Sequence, residues 1–261
     1  MAAEPVEVTD PYASYEVKAG FTVLQADYAT AEPPLRDYLE CRLKVAAFAG
    51  HAPATRALKA AGVKPLSVPR GGERWFLELS KLGRIAQLRA CLVGVLHVLP
   101  RWSCDDAAPH VAARCVLDWF AASEVRAKPR RLRTGLDAWL KTPEGRLELA
   151  CHEASVACEE AAQDPPGGSL EEQFGNRCVA EAAGRLARSV WAHSQGLASD
   201  HASTLREAFS WASQPLAPGT GKGESRAAQL NADSRLALAA LRTAVMPGLL
   251  AFALDPSLGR A

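Results

Sequence analysis

The sequence predicts an all-α fold of about eight to ten helices, and three observations carry that reading. Apolar residues recur at three- and four-residue steps over most of the chain, and alternation is confined to one short N-terminal stretch. Helix-start signals punctuate those runs, Thr142-Pro143-Glu144 and the pair Ser169/Glu172 among them. Strands alternating with helices, the pattern that builds a parallel sheet, are missing, so the nucleotide-binding α/β folds have little support. The expected organisation is an extended or weakly ordered segment over 1–34, a single helical domain over 35–254 and a tail over 255–261. Within the domain a central antiparallel hairpin over 142–197 gives the remaining helices something to pack around.

In the first segment Pro5, Pro11, Pro33 and Pro34 interrupt any helical period. Tyr15, Val17, Phe21 and Val23 alternate around Lys18-Ala19-Gly20, which predicts a short β-hairpin. A helix then runs from Leu35 to about Phe48, and a second from Ala54 to Ala61 that Gly62 would end. Trp75 to Leu99 reads as one long helix, or two interrupted near Gly83. Its half from Cys91 to Leu99 is apolar on all sides, the mark of an enclosed helix in which His97 would be a core histidine. Asp106 is placed to cap the next helix, which brings Trp119 and Phe120 inward. Thr134–Leu140 supplies a further turn or two with Leu136 and Trp139.

The hairpin follows. Thr142 caps its first helix, with Leu147, Ala150, Cys151, Ala154, Ala157, Cys158 and Ala161 as the inward stripe. Asp164-Pro165-Pro166-Gly167-Gly168 breaks it, and Ser169 with Glu172 opens the partner helix, whose stripe is Val179, Ala182, Ala183, Leu186, Val190 and Leu197. Arg177, Arg185 and Arg188 are set to meet the acidic flank of the first helix. Beyond lie a short helix over Thr204–Trp211, a Pro/Gly loop over Gln214–Glu224, and a final long helix that Ser225 caps and Pro247-Gly248 bends or ends.

With 48% hydrophobic and 23% charged residues the composition is that of an ordinary globular protein. Seven cysteines, an odd number without close pairs, fit free thiols in a reducing compartment better than a disulfide framework. The N-terminus lacks the basic start and apolar run of a signal peptide, and Cys91–Leu99 is about half the ~20 residues of a membrane span. A cytoplasmic location without membrane contact is expected.

Charge is distributed unevenly. Residues 1–40 hold eight acids against Lys18 and Arg36, and residues 41–90 reverse this with ten Lys and Arg against Glu73 and Glu78. Together with the connector Arg126, Lys128, Arg130, Arg131 and Arg133, this segment defines the candidate binding surface for phosphate, hence the nucleic-acid alternative. Within it, Ala61-Gly62-Val63 followed by Ser67-Val68 and Arg70 resembles the turn and recognition helix of repressor-type helix-turn-helix domains. Pro69 would fall inside that helix at a cost of ~3 kcal/mol, so the stretch reads better as a connector.

Catalytic and metal chemistry is weakly signalled. Gly219-Thr220-Gly221-Lys222 resembles a fragment of a phosphate-binding loop, but Gly223 stands where Ser or Thr should hold Mg²⁺ and no strand precedes it. Cys104, Asp105, Asp106, His110 and Cys115 cluster at a helix start, and Cys151, His152 and Cys158 share a helix, without the close ligand pairs of structural zinc. A thiolate paired with His152 or His193, or an imidazole oriented in Asp200-His201, would give a Cys/His-dependent enzyme, yet no nucleophile signature accompanies them. No catalytic residue, cofactor or metal is therefore assigned. In composition and rhythm the alanine-rich hairpin resembles bacterial proteins associated with secretion systems and toxin–immunity pairs, a resemblance that carries no individual residue. The expected function is non-catalytic: a helical adaptor, accessory or immunity-type protein whose partner is another protein.

Overall fold

The computed structural model describes residues 17–33, 35–69, 74–122, 141–214 and 224–255. Among them all regular structure is helical. The ten α-helices are α1 (Val17–Thr30), α2 (Leu35–Phe48), α3 (Ala52–Ala60), α4 (Arg74–Leu79), α5 (Arg84–Val98), α6 (Ala108–Ala121), α7 (Pro143–Gln163), α8 (Leu170–Ser194), α9 (Ala198–Ala212) and α10 (Glu224–Leu254). The chain forms two compact units, one of Thr9–Val93 with Arg242–Ala261, the other of Met1–Val8 with Gly94–Leu241.

In the first of these units the expected hairpin around Lys18-Ala19-Gly20 is replaced by α1. Gly20, Leu24 and Tyr28 are its buried residues, and their four-residue spacing is a helical stripe that outweighs the alternation of Val17, Phe21 and Val23. Helix α2 packs on α1 and α3, burying Leu39, Leu43, Ala46 and Phe48. Gly62 ends α3 as expected, at φ 76°, with Val63 N–H reaching the Leu58 carbonyl and Gly62 N–H the Lys59 carbonyl. Residues 63–69 that follow are not helical, so the helix-turn-helix resemblance has no recognition helix. Gly83, at φ 105°, separates the 3-10 turn Ser80–Leu82 from α5, whose residues Ala86–Val95 are all buried. His97 is exposed rather than a core histidine, because it falls on the outward side of the last turn, whose other side buries Val98 and Leu99.

Arg42 sits 9% exposed in this unit. Its Nε donates to the Ala253 carbonyl at 2.8 Å and its guanidinium also donates to the Asp255 carbonyl, so a buried cation closes the C-terminus of α10. That helix continues through Pro247, and its segment Ala232–Leu254 is long and apolar enough to cross a bilayer by length and composition, with about 39% of its most apolar 18 residues buried in the protein. Leu241, Val245, Leu249 and Leu254 are among its buried residues.

In the other unit α8 is the enclosed element. From Gly175 to Ser194 its buried residues fall on every side, and Ala180, Ala182, Ala183, Gly184 and Ala187 keep its surface thin enough for α6, α7 and α9 to lie against it. Both expected caps form: Gly145 N–H donates to Thr142 Oγ1 at 3.0 Å, and Glu172 N–H to Ser169 Oγ at 3.1 Å. The Glu172 carboxylate accepts from Gly168 N–H at 2.8 Å and from the Ser103 hydroxyl at 2.9 Å, which holds its pKa below the usual value. Asp106 acts one residue earlier than a true cap, accepting from Ala108 N–H at 2.8 Å. The inward stripe of α7 differs from the expected one. Gly145, Glu148, Cys151, Ala154, Ser155, Cys158 and Ala162 are buried, while Leu147 and Ala150 are half-buried.

Candidate functional site

The site grows from three helices lying side by side. Glu159 meets Arg188, Cys158 meets Gly184 and His152 meets Trp191, so residue numbers rise along α7 as they fall along α8. Arg185 meets Glu207 and His201 meets the Ser189 carbonyl, which gives the same opposition between α8 and α9. A Schellman turn makes the second reversal possible: Gly196 at φ 72° donates to the His193 carbonyl, and Leu197 N–H to that of Ala192. Helices α7 and α9 therefore run parallel to each other on either flank of α8.

Between the flanks lies a groove of about 480 Å³. Its walls are the faces His152, Ser155, Val156 and Glu159 of α7 and Asp200, Ser203, Thr204 and Glu207 of α9, and its floor is Arg185, Arg188, Trp191 and Ala192 of α8. Three- and four-residue steps put each set on one side of its helix. One end is apolar and aromatic. His152 stacks on Trp191 with ring centroids 5.1 Å apart and planes at 22°, and Val156 and Leu197, 41% and 48% exposed, stand at the edge. The other end is ionic: Arg188 pairs with Glu159 at 2.7 Å, and Arg185 reaches Glu207 and Glu181, each at 3.2 Å. All four of the groove's other ionised side chains are thus matched across helices. Asp200 stands apart: its carboxylate accepts the Ser199 hydroxyl at 3.1 Å and has no cation beside it among the described residues.

Behind the groove the imidazoles of His193 and His201 are 6% and 1% exposed and 5.2 Å apart, with Trp119 edge-on to His193 at 5.8 Å. His201 Nδ1 lies 2.8 Å from the Ser189 carbonyl, which fixes Nδ1 as the protonated nitrogen. Asp200 is therefore not the group that orients His201.

The structure brings together only part of what the sequence singled out. His152 and Asp200 line the groove; His193 and His201 are packing and hydrogen-bonding groups of the interior. Burial pushes the Cys151 thiol well up and that of Cys158 up to about 12, the opposite of an activated nucleophile. Among the described residues no group of three or more His, Cys, Asp and Glu is arranged to hold a metal ion. Arg126, Lys128, Arg130, Arg131 and Arg133 lie outside the described residues, as does the phosphate-loop-like stretch 218–223. Of the basic residues in 41–90, Arg42 and Arg89 are buried, Lys44 pairs with Glu40 at 2.7 Å and Lys81 with Glu78 at 2.6 Å, while Arg56, Lys59, Lys64, Arg74 and Arg84 are exposed.

Sequence reasoning missed Val156, Trp191, Ser203 and Glu207, and it assigned Leu197 to the core. Their signal was the residue spacing on the outward helix faces, which becomes legible only once the inward faces are known. No protein-family model, no curated protein and no solved structure matches the chain.

Proposed function

We propose that this protein is a non-catalytic binding protein, of the adaptor, accessory or immunity kind, that receives another protein in the groove between α7 and α9. The observation that supports this reading is the pairing of exposed Val156 and Leu197 with the half-buried Trp191–His152 stack inside a groove of about 480 Å³. Large apolar side chains at the edge of a concave site, ringed by polar groups, are the arrangement in which removal of water rewards a partner. The ion pairs at the far end are solvent-exposed and are worth no more than ~1 kcal/mol each, so they define a rim without closing the site.

The test is a tagged capture from lysate of the source cell, treated with nuclease, with wild-type protein beside Val156→Glu and Leu197→Glu. Both positions are exposed, so the variants should keep the wild-type helical signal and melting point. The expected result is a stoichiometric protein partner retained by the wild type and lost by both variants. A partner held equally by all three proteins, or material removed by nuclease, would overturn the reading.

A further inference from the structure

The groove also restricts the form and charge of what enters it. Its walls and floor are helices, and apart from the first N–H groups of α9 their backbone N–H and C=O groups are consumed within those helices. Neither wall offers a strand edge on which an extended segment could continue a ladder, so its backbone groups would depend on scattered side chains, whereas a helix arrives with its own already paired. The wall faces have the matching length. His152 to Glu159 and Asp200 to Glu207 each advance about 10 Å at 1.5 Å per residue, roughly two turns. A charge argument selects among helices: Glu159, Arg185, Arg188 and Glu207 are neutralised by one another, which leaves Asp200, beside exposed Leu197, as the groove's charge without an ion-pair partner among the described residues, offset only in part by the positive end of α9.

We propose that the partner offers this groove an amphipathic helix of about two to three turns, carrying a lysine or arginine next to its apolar stripe so that the cation meets Asp200. This rests on the protein-binding reading above and names the chemistry of the partner.

The probe is a fluorescein-labelled synthetic peptide of about 14 residues built from leucine, alanine and lysine, held helical by a side-chain cross-link because a free helix of that length is marginal in water, with a twin in which glutamate replaces lysine. Fluorescence anisotropy with the full chain should show the lysine helix binding at least about tenfold tighter than its twin. Asp200→Asn should remove most of that preference, Asp200→Lys should reverse it, and the uncharged Leu197→Ser should weaken both peptides. Equal affinity for the twins, a preference that survives Asp200→Lys, or no binding of either peptide would overturn the proposal. The two readings fail separately. If the probes show no preference while capture of the cellular partner still depends on Val156 and Leu197, the helix chemistry is wrong and the groove remains the binding site. If capture is also indifferent to those residues, the protein-binding reading falls with it.

Discussion

Two side chains show how far a residue's type can mislead about its place. Arg42 counted among the cations of a basic segment, yet it is buried and bonded to the last carbonyls of α10, a role that needs a partner over 200 positions away and leaves no local mark. Arg42→Ala would strand buried acceptors, a loss of about 1–3 kcal/mol, and chemical denaturation should show Arg42→Lys falling between alanine and wild type. His51 is the second case. Its Nδ1 accepts from Ala54 N–H at 3.4 Å as the N-cap of α3, with Phe21 edge-on at 4.7 Å. That bond exists only while Nδ1 is unprotonated. Burial first, and then the charge of Arg56, lower the pKa of His51 below the ordinary 6.5. The unfolded chain therefore takes up the proton first as pH falls. The stabilisation is complete above 6.5, declines as pH drops toward the folded-state value, and changes no further below it. Melting temperatures across that window should vary less in His51→Asn, which caps without titrating, the remaining slope coming from His97 and His110, whose pKa values burial also lowers.

At the scale of elements, helix boundaries were legible and helix faces less so. Thr142, Ser169 and Gly62 each act where their local chemistry says they should, because capping depends on neighbours within a few positions. The inward stripe of α7 was set one step off: an alanine-rich helix gives little contrast between its sides, and Glu148, read as outward, is 3% exposed. The α7–α8 contact turns on Gly184. A Cβ there would stand 2.8 Å from Cys158 Cβ and 3.4 Å from the Ser155 carbonyl, all rigidly tied to backbone. Alanine is normally favoured over glycine inside a helix by about 1 kcal/mol, but overpacking costs about 1–3 kcal/mol, so Gly184→Ala should be net destabilising. Combining it with Cys158→Gly removes the clash, and the double variant should lose less stability in urea than the two single losses added. Strict additivity would mean that the helices simply move apart to admit the methyl group.

For the whole molecule, the all-helical class could be read from periodicity, while the two compact units could not, since each combines distant stretches of chain and only folding shows which stretches meet. The groove was hidden for the same reason: its three faces are separated by turns, and none is unusual alone. The cysteines offer a measurement at this scale, because all seven are free and they are spread over both units. Cys91 in one unit and Cys151 and Cys158 in the other are fully enclosed, and burial raises each thiol far above its ordinary value of 9.0. Alkylation requires both access and thiolate, and at about pH 8 a thiol with a pKa near 12 is thiolate in only about one molecule in ten thousand. A short iodoacetamide pulse on the native protein should therefore mark Cys41, Cys104 and Cys115, which are partly exposed, and spare the other four, the buried Cys178 included. Repeating the pulse through a urea series makes each spared thiol a reporter of its own unit. Cys151 and Cys158 share α7 and should gain label together, and the urea concentration at which Cys91 follows measures the stability of the other unit directly. Native labelling of Cys91 or Cys158 as fast as Cys104 would show that the enclosed helices open far more readily than their packing implies.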